Sequence, residues 1–74
     1  MRTFTDATGR RWDVIAGRES WGAIFALFVP RKESGGIRQT PLRATSHDEA
    51  RSELEALDEN GLRRLFEISE PKTL

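Results

Sequence analysis

WGAIFALFVPR, residues 21–31, carries no polar side chain between Trp21 and Val29. A strand with one wet face alternates apolar and polar residues. A run this uniform reads instead as a central strand that is apolar on both sides, in a sheet whose two faces both want cover. Pro30 lacks a backbone donor and closes the run.

The segments around it have the lengths and turn residues of a meander. RTFT, residues 2–5, starts a short first strand. DATG, residues 6–9, places Asp and Gly where a type I turn favours them. Residues 11–16 alternate, with Trp12, Val14 and Ala16 on one side and Arg11, Asp13 and Ile15 on the other. GRES, residues 17–20, reads as the turn into the strand at 21–29. RKESGG, residues 31–36, reads as the polar loop into a fourth strand, GIRQTPL, whose Pro41 confines it to an edge or ends it early. Each connection is short enough for an antiparallel order 1-2-3-4.

From Ser46 the period changes. Ser46 and Glu49 have the spacing of a capping box, with the glutamate reaching back to the Ser46 amide. Ala50, Leu54 and Leu57 then form one apolar stripe of a helix. Asp58 can cap a second helix carrying Leu62, Leu65 and Phe66, with Ile68 nearby. Pro71 ends it, and residues 70–74 read as a frayed tail. The fold class is therefore α+β: an antiparallel three- or four-stranded β-meander over residues 2–43, then two short helices over 47–69 packed on one face.

The chain has 74 residues and no cysteine. It reads as one small domain beginning at its initiator methionine, with a thin core and no disulfide to reinforce it. Absent a signal-like or membrane-spanning apolar run, the expectation is a soluble, cytoplasmic protein. Its zero net charge is unevenly spread. Residues 1–44 hold eight basic and four acidic side chains, whereas residues 45–74 hold four basic and eight acidic. Such asymmetry speaks to partners rather than to fold.

Supply and demand of apolar cover decide the functional expectation. The helices can shelter roughly one face of a small sheet at ~10 Å per layer. If GRES is a four-residue loop, Ala16 faces Trp21, Val14 faces Ala23 and Trp12 faces Phe25. Trp12, Val14, Phe25, Leu27 and Val29 then share one face, and Ile15, Ile24, Ala26 and Phe28 share the other. A one-residue slip would exchange these sets. The uncovered face is expected to be an interaction surface of roughly a few hundred Å². Ile15, Ile24 and Phe28 would be its centre, with Trp21 and Arg38 at its rim and another protein or a second copy as its partner. The competing expectation is one helix on each face and a self-sufficient monomer.

A different class of function competes through the arginines. Arg10, Arg11, Arg18, Arg31, Lys32 and Arg43 lie at strand ends and loops near Trp12 and Trp21. Cations for phosphate with aromatic platforms for bases is how sheet surfaces hold single-stranded nucleic acid. The sequence pI of about 6.6 speaks against it. The plainer reading is that these arginines lie over apolar surface and that the tryptophans belong to the core.

Catalysis has little material. There is no Cys and no Tyr, and the single His47 sits inside the capping box. No nucleophile elbow, P-loop or dinucleotide fingerprint occurs. The acidic residues of the helices read as a solvated face rather than a metal site. The expectation is a non-enzyme with no cofactor or metal and no membrane association: a small protein-interaction module.

Overall fold

The computed structural model describes residues 2–18, 22–31 and 36–72. Its elements are β1 (Arg2–Thr5), β2 (Arg11–Arg18), β3 (Ile24–Pro30), β4 (Arg38–Pro41), α1 (His47–Ala56), α2 (Glu59–Ile68) and β5 (Glu70–Pro71). The strands form one antiparallel sheet in the order β1-β2-β3-β4-β5. This is the expected meander followed by two helices on the sheet, with one strand added at its end.

Local chemistry sets the turns and caps. The Gly9 N–H donates to the Asp6 carbonyl at 3.0 Å, and Gly9 takes φ +88°, a conformation that suits a residue without Cβ. The Ser46 hydroxyl accepts the Glu49 amide at 3.1 Å, and Asp58 Oδ1 accepts the Gly61 amide at 2.8 Å, which caps both helices. The reciprocal half of the capping box takes another form, because Glu49 Oε2 accepts from the Thr45 hydroxyl at 3.1 Å.

The core lies between one sheet face and both helices. Phe4, Trp12, Val14, Ala26 and Phe28 rise from the sheet to meet Leu54 and Leu62. Phe66 sits among the sheet's rings, its centroid 5.2 Å from Phe4, 5.0 Å from Trp12 and 5.2 Å from Phe28. These tilted and edge-on contacts add to the area they bury. Ile68 stays outside, 69% exposed.

Two expectations are corrected. First, β2 continues through Gly17 and Arg18, so GRES is not the turn; Ala16 stands opposite Ala26 rather than Trp21. That displacement of five positions is odd, so every β3 side chain changes face. Ile24 (2% exposed) and Phe28 (0%) are therefore under the helices, while Phe25, Leu27 and Val29 are on the other side. Second, the tail does not fray at residue 70. Glu70 pairs with Gln39 and Pro71 with Arg38, and the Lys72 amide donates to the Ile37 carbonyl at 2.8 Å.

Candidate interaction surface

Alternation along the strands fixes what each side of the sheet presents. Trp12, Val14 and Ala16 share the helix side with Phe28, Ala26 and Ile24. The opposite side carries Asp13 beside Val29, Ile15 beside Leu27 and Gly17 beside Phe25. Beyond β3 it continues with Gln39 next to Leu27 and Pro41 next to Phe25. Neither helix reaches this side, because the α1 and α2 residues of the core all meet the other one. Ile15 is 37% exposed, and Phe25, Leu27 and Val29 are half-buried.

Gly17 shapes this surface. A Cβ there would lie 2.5 Å from Leu27 Cδ1, so the missing side chain is what lets Leu27 lie flat across β2. Asp13 pairs with Arg31 at 3.4 Å at the end of the patch. Gln39 keeps its Oε1 buried without a hydrogen-bond partner, an uncommon state for a polar atom.

Of the residues expected to bind a partner, Ile15 lies on the open side, whereas Ile24 and Phe28 are core. Arg38 also leaves the expected rim. It points to the helix side, where its Nε donates to the Ser69 hydroxyl at 2.9 Å and its Nη2 to the Ser69 carbonyl at 2.6 Å. Its guanidinium sits 5.5 Å above the Phe66 ring. Trp21 lies outside the described residues. Sequence reasoning missed Phe25, Leu27 and Val29 because it placed the β2–β3 turn too early. Gly17, at a strand position that Leu27 must cross, is the signal that could have found them.

The arginines do not gather into one patch. Arg11 and Arg31 are exposed side by side at one end of the sheet, where the Arg31 amide donates to the Arg11 carbonyl at 3.1 Å; Arg18 and Arg43 are exposed towards the opposite end, and Arg10 is half-buried with its guanidinium 5.5 Å over Trp12. Lys32 lies outside the described residues. Trp12 is 3% exposed, with Phe66 against it and its indole N–H donating to Asp6 Oδ2 at 3.0 Å. That ring is a core element and offers no free platform to a base.

Asp6 organises the first turn. Burial works against its ionisation, but the Thr8 hydroxyl, the Trp12 indole and the backbone amides of Arg10 and Thr8 outweigh it. Its pKa falls to about 2. The carboxylate borders a cleft of about 850 Å³ with Trp12, Arg38 and Phe66 on its walls. Asp6 and Arg38 already bond to neighbouring groups of the chain. No group of three or more His, Cys, Asp or Glu suited to a metal occurs among the described residues, and no described helix is long and apolar enough to cross a membrane.

No protein-family model, curated protein or solved structure matches this chain.

Proposed function

We propose that this protein is a small, non-catalytic interaction module, an accessory subunit or adaptor that docks a second protein on its open sheet face. One observation carries the reading: both helices pack on the same side, leaving Ile15, Leu27 and Val29 together on the side that neither helix covers. An outward strand face is ordinarily polar, and grouped apolar residues there mark contact sites. The charge at its border suggests the partner's chemistry. Arg11 and Arg31 flank the patch at one end, and Asp13 is already paired with Arg31. A surface apolar at its centre and acidic at its margin fits best, since complementary rim charge speeds encounter and selects partners.

Nucleic-acid binding receives less support from this arrangement, because its aromatic platform at Trp12 is enclosed.

The test is Leu27→Asp, with circular dichroism matching the parent chain. Proteins captured by the parent are purified and titrated against both forms. The expected result is binding by the parent that weakens at least tenfold in the variant. Sedimentation at micromolar concentration runs alongside, and a dimer lost on Leu27→Asp would identify the docked protein as a second copy. A monomer whose variant keeps every measured affinity overturns the proposal.

A further inference from the structure

The cleft of about 850 Å³ beside the first turn has Asp6, Trp12, Arg38, Phe66 and Pro71 on its walls. That volume is in the range of small-molecule sites. Asp6 and Arg38 are held very differently within it. Both Asp6 oxygens are taken up by the chain itself. Its Oδ1 accepts from the Thr8 and Arg10 amides and the Thr8 hydroxyl, and its Oδ2 from the Trp12 indole.

Arg38 is fastened by one edge only. A guanidinium offers two pairs of parallel donors, one from Nε with Nη2 and one from Nη1 with Nη2. The first pair meets Ser69, Nε at its hydroxyl and Nη2 at its carbonyl. Because the group is planar, Nη1 points directly away from Ser69. Nη1 and the second N–H of Nη2 meet no acceptor among the described residues, and no described carboxylate pairs with this half-buried cation. Charges taken out of water are ordinarily paired.

The orientation of the unused edge is set in advance. Phe66 lies under the guanidinium face at 5.5 Å, and Phe66 is itself wedged among Phe4, Trp12 and Phe28. Pro71 stands opposite Arg38 in the β4–β5 ladder and so shares its face of the sheet. The free fork is therefore bordered by apolar surface, and a ligand need not order it on binding.

We propose that this cleft binds a small organic acid, whose carboxylate takes the Nη1/Nη2 edge of Arg38 in a bidentate pair and whose apolar body rests against Phe66 and Pro71. Two parallel N–H donors match the two oxygens of a carboxylate, whereas a single fork leaves part of a phosphate unserved. Asp6 on the same wall disfavours a second negative charge on the ligand. The class is a monocarboxylic acid with an aromatic or aliphatic body. This site is on the helix side of the sheet and is independent of the open face proposed above.

Benzoate, phenylacetate and hexanoate are the probes, each beside its primary amide, titrated into the full chain by heteronuclear NMR. The expected result is a saturable shift of the Arg38 Nε–H signal at millimolar acid, with the matched amide at least tenfold weaker. Arg38→Lys keeps the charge and loses the fork, and should weaken acid binding about tenfold. The comparison of acid with amide gives its answer in the parent chain even if this variant does not fold. Equal binding of acid and amide, acids that leave the Arg38 signal still, or a folded Arg38→Lys chain of unchanged affinity overturns the proposal. Inorganic phosphate binding more tightly than every acid overturns it as well. So do shifts confined to Arg11 and Arg31, which would report attraction to exposed charge alone.

Discussion

Arg2, in the first strand, donates from Nη1 to the Leu57 carbonyl at 2.6 Å, across a sequence separation of 55 residues. The same nitrogen lies 3.3 Å from the Leu54 carbonyl and 3.0 Å from that of Glu55. Helix α1 has no basic residue in its last turn, so Arg2 supplies from another element the cation that helix C-termini favour.

Replacing Arg2 with Met keeps much of the apolar stem and removes the donors. The expected loss is about 1–2 kcal/mol, for hydrogen bonds from a charged group at a helix end. Denaturant unfolding of Arg2→Met against the parent measures it. An unchanged midpoint would show that solvent serves the α1 carbonyls equally well.

Adjacent residues on β3 should behave oppositely. Phe28 is fully buried under the helices and Leu27 is on the open face. Phe28→Asp should unfold the chain, since truncating a buried Phe alone costs about 3–5 kcal/mol and a buried charge costs more. Leu27→Asp should keep the circular dichroism spectrum and melt cooperatively. If the two variants exchange behaviours, the register is wrong.

Asp6 should give stability a pH dependence at the acid end. Its pKa is depressed in the folded state, from 3.8 to about 2. Its contribution is therefore complete above the unfolded value and is lost as pH falls from about 3.8 to about 2. Asp6→Asn leaves an amide with no charge to titrate and weakens the acceptor for Trp12. Stability at neutral pH should fall by about 1 kcal/mol, allowing for solvent screening, and the slope in that window should flatten. Urea unfolding at several pH values checks both.

Gly17→Ala pits two effects against each other. Alanine reduces the freedom of the unfolded chain by about 0.4–1 kcal/mol. Its Cβ forces Leu27 from its position, at a rotamer cost of about 0.5–1.5 kcal/mol. Net stability should stay within about 1 kcal/mol of the parent, while the Leu27 methyl resonances move. A large loss of stability would mean that β2 cannot shift even slightly and that Leu27 is held harder than its half-buried state implies.

Much of the architecture was legible because each local signal was strong. Asp6 and Gly9 marked the first hairpin, Ser46 and Asp58 marked both helix starts, and the uniform apolar run marked β3 as central. The two-sided oiliness of that strand against helices enough for one side was also readable, and the helices do share a side. Which residues lie on which side was not readable. Side chains alternate with a period of two, so the answer hangs on the parity of the β2–β3 connection. Gly17 looked like a turn residue but sits inside a strand. Arg38 misled for a different reason: its partner, Ser69, is 31 positions away, and no local pattern announces such a bond. Two-residue β5 was hidden behind Pro71, which ends a helix and can still accept in a ladder.

The placement of β5 bears on how the molecule is made. Its two residues belong to the sheet yet follow both helices in the chain. A nascent polypeptide leaving the ribosome therefore cannot finish its layers in the order of synthesis. The outer flank of β4 stays bare until Glu70 and Pro71 have cleared the exit tunnel, and the Arg2 clasp waits on Leu57 in the same way. Vectorial folding is closed off at both margins, so strands that emerge early are completed by residues that follow both helices.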